Sequence, residues 1–370
     1  MKILHLSSAR SLGGGERHLA DLVCALRARG HDVYAALRQR SPLHDGLAAL
    51  PAKNILTLPL RNSLDLTSAM ELARHVREHK IEIVHAHVAR DYPLAALAVW
   101  RNRQAKLIIT RHVLFRLNKL HALTFRQARR VIAVSHAVER TLVAQKIFPA
   151  SKITVIPNGI DFRRFDASLQ GFDREAFRRR MNIAPESLLI GIVGEIKRQK
   201  GHEDYLRAAS IIARENKDTH FIIAGADGTG AHRAALERLV NELGLKNRVH
   251  FTGWLDEVAP LMAALDVYVS ASHTESFGLT IVEAMAAGLP VVATATEGAR
   301  EIIDNEETGV IVPIGKPEAM ASAVLHLFKD KEERARLGTL ARAQVRVRFS
   351  LERMVDATEQ VYFETMRAER

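Results

Sequence analysis

The chain has a single cysteine among 370 residues, and that scarcity is its first constraint. Cys24 cannot form an intrachain disulfide, which suits a reducing cytoplasm, and its place among apolar helix positions puts it in a core. Nowhere does an apolar run approach the eighteen or so residues that cross a bilayer. The opening "MKILHLSSARSLGGGE" has only a short apolar run followed by glycines, so it reads as a strand rather than a secretion signal. Asp-x-Asp pairs are absent throughout. Acids are also missing between Asp91 and Glu139, a stretch that holds nine basic residues, including Arg116, Lys119, Arg126 and Arg129.

What is present divides the chain in two. A length of 370 residues exceeds a typical single core and fits two domains, with 47% hydrophobic and 26% charged residues as in ordinary globular proteins. Residues 1–165 carry 27 Lys+Arg against 11 Asp+Glu, net +16, whereas the remainder carries 26 against 31, net −5. An asymmetry of this size points to an anionic partner for the first half.

Short β-branched runs alternate with amphipathic segments, which predicts parallel α/β architecture in each half. The first half has strand candidates at Ile3–Leu6, Val33–Leu37, Ile81–His85, Leu107–Thr110, Val131–Val134 and Ile153–Ile156. The second has them at Leu188–Val193, Thr219–Ala224, Val249–Phe251, Val267–Ala271, Val291–Ala295 and Gly309–Val312. A Pro-Asn-Gly turn in "IPNGID" places the joint near Asp161, followed by a polar, Arg-rich stretch to Pro185. The expected domains are 1–165 and 166–350, with a last amphipathic helix, about 351–370, free to pack back on the first.

The chemistry concentrates in "ESFGLTIVE", Glu275–Glu283. A helix predicted at Leu279–Ala287 would open from the loop after a parallel strand, where open α/β sheets bind ligands. Its N-terminal N–H groups, at Phe277, Gly278, Leu279 and Thr280, suit a phosphate, and Gly278 allows close backbone approach. Glu283 lies on the same helical face one turn inward, placed to accept from ribose hydroxyls. Glu275 stands beside the phosphate site, where a carboxylate is best used on sugar hydroxyls. Together they have the layout of a nucleotide-sugar site.

Gly13, Gly14 and Gly15 fail the dinucleotide fingerprint, because His18 occupies the third glycine position and no acid ends the second strand. His85 and His87 share one strand face, but no third metal ligand at fitting spacing is apparent.

The stretch "HTESFGLTIVEAMAAGLPVVATATEGAREII" resembles the E-x7-E signature of family 4 retaining glycosyltransferases. "SLGGGERHLADLVCALRARGHDV", "VIAVSHAVERTLV", "ITVIPNGID", "LIGIVGEIKRQKGHEDYLRAA" and "FSLERMVDATEQVY" extend the resemblance over nearly the whole chain. It implies a GT-B fold, two Rossmann-like doubly wound α/β domains facing each other across a cleft. It further implies that Glu275 contacts the transferred sugar and Glu283 the donor ribose. Lys200 would neutralise the departing diphosphate, Gly14 and Gly15 would approach donor and acceptor, and His112 would lie near the reacting sugar. Glu195 stands where the family usually has an arginine, so Lys197 or Arg198 becomes the replacement cation for donor binding.

The implied reaction is transfer from a nucleoside diphosphate sugar with retention, UDP being the commoner donor in the family and GDP the runner-up. No metal and no cofactor are expected, since Asp-x-Asp is missing and Lys, Arg and helix N-termini can hold the leaving group. The expected acceptor is a glycan or lipid-linked, anionic molecule of bacterial envelope polysaccharide or lipopolysaccharide synthesis. In "HVLFRLNKLHALTFRQARR", Leu114, Leu117, Leu120 and Phe125 interleave with Arg116, Lys119, Arg126 and Arg129, a pattern suited to an anionic membrane surface. This predicts a cytoplasmic enzyme, peripheral on the inner leaflet. The alternatives are a sugar-nucleotide epimerase on a related fold and a non-catalytic anionic-polymer binder. No recognisable nucleic-acid module is present, so nucleic acid is not an expected partner.

Overall fold

A computed structural model describes residues 1–117, 121–228 and 230–367. The chain separates into two compact units, Met1–Gly159 with Leu351–Arg370, and Ile160–Ser350. By charge they differ sharply: 28 Lys+Arg against 15 Asp+Glu in unit 1, net +13, and 25 against 27 in unit 2, net −2.

Unit 1 is built on seven parallel strands: β1 (Lys2–Ser7), β2 (Asp32–Arg38), β3 (Ile55–Leu58), β4 (Ile83–Ala86), β5 (Lys106–Arg111), β6 (Ala128–Ala133) and β7 (Ile153–Val155). Their order is β3-β2-β1-β4-β5-β6-β7, so the direction of winding reverses between β1 and β4. Strand β3 has no counterpart in the sequence reading, being four residues of which only Leu58 is buried. Ile3 lies between Val33 and Ile83 in the sheet, and its core neighbours include Leu19, Leu22, Ile108 and Ile132. The helix Leu351–Arg367 completes this core with Met354, Val355, Val361 and Tyr362.

Unit 2 repeats the plan with six parallel strands: β8 (Leu188–Val193), β9 (Thr219–Ala224), β10 (Val249–Gly253), β11 (Val267–Ser270), β12 (Val291–Thr294) and β13 (Val310–Val312). The order β10-β9-β8-β11-β12-β13 puts the reversal between β8 and β11. Buried β-branched and aromatic side chains on both faces, Ile190, Phe221 and Val267 on one and Ile222 and Tyr268 on the other, are what a sheet covered by helices on two sides requires.

One expectation needs correction. Cys24 is exposed, because the helix Gly14–Ala28 buries Leu19, Leu22, Val23 and Leu26, and position 24 falls off that stripe. The Arg-rich stretch after Asp161 is part of unit 2 and forms two short helices, Phe162–Ala167 and Arg174–Arg180. Arg178 is fully buried there. Its guanidinium donates to the carbonyls of Ala264, Pro185 and Ser187 at 2.8–3.0 Å and to Asp266 at 2.7 Å. Among the described residues no helix is long and apolar enough to cross a membrane.

Candidate active site

Unit 2 gathers its chemistry at the carboxyl ends of β8 and β11, the strands that flank the reversal point. Open α/β sheets bind ligands in that crevice because the loops there diverge to opposite faces. Lys200 comes from the turn after β8 and Glu275 from the loop after β11, and the Lys200 ammonium donates to the Glu275 carboxylate at 2.6 Å. Both are partly buried, so the pair sits in a medium that screens charge less than open water does.

Glycines bring these loops together. Gly201, at φ +67°, closes the Lys200 turn, and a Cβ there would lie 1.9 Å from the Ala271 carbonyl oxygen. Gly298 packs against the Phe277 backbone, where a Cβ would come within 2.3 Å of its carbonyl oxygen. Its N–H also donates to the Glu275 carbonyl at 3.1 Å. In "TEGAREI" the single glycine thus stands at the position where the two backbones touch.

Gly278, at φ +113°, is the N-cap of the helix Leu279–Ala286. Leu279 and Thr280 head that helix, so their N–H groups have no carbonyl one turn back within it. The Thr280 hydroxyl accepts from the Tyr268 hydroxyl at 2.8 Å. Glu283 is buried one turn inward on the same helix. Burial first, and the Glu283 and Glu275 charges with it, push the Tyr268 phenol up, which keeps it a neutral donor to Thr280. Glu195 is held by Lys197 at 2.6 Å, so that lysine is already neutralised. Arg198 is exposed on the Lys200 turn and is not drawn into the Lys200–Glu275 pair. His202 follows, buried and lowered to about 4 by desolvation and the nearby Lys200 charge.

Unit 1 assembles a different constellation around its own reversal point. His5 on β1 pairs in register with His85 on β4, so both rings lie on one sheet face, and His87 follows two residues on. The His5 Nδ1 and His87 Nε2 atoms are 3.1 Å apart, and the His87 Nδ1 and His112 Nε2 atoms 3.5 Å apart. His85 is held between the Tyr362 hydroxyl at 2.6 Å and the Thr110 hydroxyl at 2.7 Å. His18 completes the group, its ring 4.9 Å from that of His112 in edge contact. Desolvation lowers every one of these rings, His5 to about 3 and His18 to about 4, so all are neutral at pH 7.

Gly14 and Gly15 form the first turn of the helix Gly14–Ala28 rather than a loop ahead of it. Gly15 lies against the His112 ring, with room for ordinary contact at 3.5 Å from a Cβ. Of the basic segment, Val113, Phe115, Arg116, Arg126 and Arg129 are exposed, while Lys119 and Leu120 lie outside the described residues, as do the side-chain positions of Phe125.

Sequence spacing missed three members of these sites. Tyr268 could be suspected as a buried-strand aromatic whose hydroxyl needs a partner. His5 and His18 gave no signal, since their approach to His87 depends on the β1–β4 pairing.

Two family models match the chain: "Glycosyltransferase Family 4" over residues 12–164 and "Glycosyl transferases group 1" over residues 173–344. The chain is 28% identical to N-acetyl-alpha-D-glucosaminyl L-malate synthase of Bacillus anthracis, over 82% of this chain and 80% of that protein. It is 26% identical to the lipopolysaccharide core biosynthesis glycosyltransferase LpsE of Rhizobium meliloti, over 96% of this chain and 97% of that protein. Among solved structures, Anabaena HepE in complex with UDP and glucose superposes with a TM-score of 0.87 at 23% identity, covering 98% of this chain and all of that one. WaaG, a glycosyltransferase involved in lipopolysaccharide biosynthesis, superposes with a TM-score of 0.74 at 18% identity, over 98% and 99% of the two chains. With both family models matched in sequence and the GT-B architecture shared along the chain, this protein belongs to the GT-B glycosyltransferases of the family 4 type.

Proposed function

We propose that this enzyme moves a sugar from a nucleoside diphosphate sugar, UDP before GDP, to an anionic glycan or lipid-linked acceptor, with retention of anomeric configuration. The observation that carries the donor half is the unit 2 arrangement: Lys200 on Glu275, the helix opening at Gly278, and Glu283 buried one turn inward. In this reading the β-phosphate lies on the N–H groups of Phe277–Thr280, and the ribose is held by Glu283. The sugar hydroxyls are received by Glu275. As the bond from the anomeric carbon to the phosphate oxygen breaks, negative charge grows on the β-phosphate, where Lys200, the helix end and Arg198 stabilise it. The acceptor hydroxyl attacks from the same face and gives its proton to the departing phosphate. Glu275 positions the sugar and makes no covalent bond. Lys200 can serve both partners, because an ammonium has three donors.

The UDP assignment takes support from HepE, whose solved complex contains UDP and glucose. The acceptor class takes support from LpsE, a protein of lipopolysaccharide core biosynthesis, and from the net +13 of unit 1. In the same reading Gly14, Gly15 and His112 line the acceptor side in unit 1. The exposed Phe115, Arg116, Arg126 and Arg129 rest on anionic lipid at the inner leaflet of the cytoplasmic membrane. The diphosphate needs no divalent ion, as the cation there is Lys200.

A thermal-shift panel of nucleoside diphosphates and their sugars, followed by transfer assays with the stabilising donor, tests the reading. UDP compounds raise the melting temperature, Lys200→Ala cuts turnover by about 100-fold or more, and added magnesium or manganese changes nothing. Activity lost on chelation and restored by either ion overturns the metal-free diphosphate site. Equal sedimentation with anionic and neutral vesicles overturns the membrane reading.

A further inference from the structure

We propose that His18, His87 and His112 form a three-imidazole site for a first-row divalent transition-metal ion of the zinc type, in unit 1. This goes beyond the glycosyl-transfer reading, with which it shares His112 alone, and uses nitrogen ligands rather than the cation and backbone donors of unit 2. One nitrogen from each ring lies within 4.8 Å of the others. A tetrahedral zinc ion with bonds of about 2.0–2.1 Å holds its ligand nitrogens about 3.4 Å apart. The His87 Nδ1 to His112 Nε2 separation is 3.5 Å, already that spacing. His18 closes the triangle by a small ring movement.

The ring nitrogens support this choice. Neither nitrogen of His18, which is 3% exposed, reaches a partner of good hydrogen-bond geometry among the described residues. Asn158 favours a charged His18 without an aligned bond, and its own Oδ1 is likewise unmatched. Buried polar atoms of this kind are costly unless something satisfies them. A second triad, His5, His85 and His87, is equally compact. Its lone pairs are committed, however, since His85 is held by Tyr362 and Thr110.

The surrounding bonds set the required tautomers. With a metal on His87 Nδ1, the proton sits on Nε2 and is donated to His5 Nδ1, 3.1 Å away. Metal-bound histidines usually have such an outer partner, which fixes ring orientation. His112 then binds through Nε2 and keeps its proton on the buried Nδ1, on the side of the ring that packs beside Gly15. Imidazole coordinates a metal through an unprotonated ring nitrogen, and each of the three rings turns one nitrogen toward the other two. The opposing influence is the Arg111 charge beside His112, which weakens cation binding without blocking the lone pairs.

The experiment is equilibrium dialysis of the full chain, freed of metal, against cobalt(II) and zinc(II) without nucleotide, with the visible cobalt spectrum recorded. About one equivalent binds with the intense bands of a tetrahedral site; His18→Gln and His87→Gln weaken binding at least about 100-fold, and His5→Ala about 10-fold. His220→Ala, which removes one ring of the His220–His250 pair in unit 2, leaves it unchanged. Circular dichroism confirms that each variant folds, and the wild-type titration decides even if one does not. Absence of stoichiometric cobalt in the wild type overturns the site, as does a spectrum that survives His87→Gln in a folded variant. Because binding is read without donor, its failure leaves the donor panel untouched, and failure of the donor panel leaves this site standing.

Discussion

The two units place their chemistry at the same topological position and build it from opposite materials. Around the β1–β4 reversal, unit 1 packs five neutral imidazoles, His5, His18, His85, His87 and His112, inside a unit of net +13. Around the β8–β11 reversal, unit 2 sets an ion pair, a helix end and a buried carboxylate in a unit of net −2. Loop divergence explains the shared position in both. The difference in content is a difference in what each crevice must tolerate. Diphosphate charge calls for a fixed cation and backbone donors, whereas neutral rings offer hydrogen bonds or lone pairs without net charge.

The largest expected effect tests whether unit 2 stands on its own buried charge. Arg178→Met removes five hydrogen bonds and leaves the Ala264, Pro185 and Ser187 carbonyls without that donor. Breaking a buried ion pair from one side costs about 3–5 kcal/mol. Urea titration followed by hydrogen exchange should show that loss in unit 2, with unit 1 amides little changed. A loss under 1 kcal/mol would mean that the guanidinium is dispensable.

Glycine substitution sharpens the comparison at a smaller scale. Gly298→Ala forces a methyl into the Phe277 backbone, so the loop carrying Glu275 and Phe277 must shift. Gly15→Ala meets the His112 ring only at 3.5 Å, an ordinary contact, and gains helix propensity. We expect Gly298→Ala to lower nucleoside diphosphate affinity by about 10-fold or more and to destabilise the fold by about 1–3 kcal/mol. Gly15→Ala should fold as well as the wild type. Calorimetry and thermal melts compare them, and equal effects would mean that the unit 2 backbone contact has no special role.

Acid should separate the units least strongly but in a defined direction. The unit 1 rings titrate near 6.5 when unfolded and well below it when folded, with His5 at about 3 and His18 at about 4. Between those values the unfolded chain holds more protons, so stability is complete above pH 6.5 and falls as pH drops toward 4. Each such ring adds about 1.4 kcal/mol per pH unit to the slope. Unit 2 has fewer lowered rings, His202 at about 4 with His220 and His250 shifted the same way. Hydrogen exchange from pH 7 to 4.5 should therefore show unit 1 losing protection first; simultaneous loss would contradict the assignment.

Much of this was legible in sequence because it depends on local period and spacing. Twelve strands follow from short β-branched runs, and the position of Glu283 one turn inside its helix follows from counting residues after Gly278. Strand β3 was not legible, having one buried side chain in four residues. Cys24 was misplaced because three of its neighbours belong to the stripe that it just misses. Arg178 reads as one arginine among several until Asp266 and three carbonyls, up to 88 residues away, close around it. The ring cluster was hidden for a related reason. The His-x-His pair on β4 is visible, but His5 joins it only because β1 pairs with β4 across the reversal of strand order. Glu195 showed a missing cation, and only the structure pairs it with Lys197.

The two acids of "ESFGLTIVE" divide the donor between them, Glu283 on the nucleoside and Glu275 on the sugar, and isothermal titration with UDP and with its sugar-bearing form decides it. Glu283→Ala should weaken UDP itself by about 1–3 kcal/mol, the range of a lost charge-assisted hydrogen bond. Glu275→Ala should bind UDP as the wild type does while losing most glycosyl transfer. Variants that bind UDP alike, or a Glu275→Ala enzyme that loses UDP and keeps transfer of bound donor, would contradict the account.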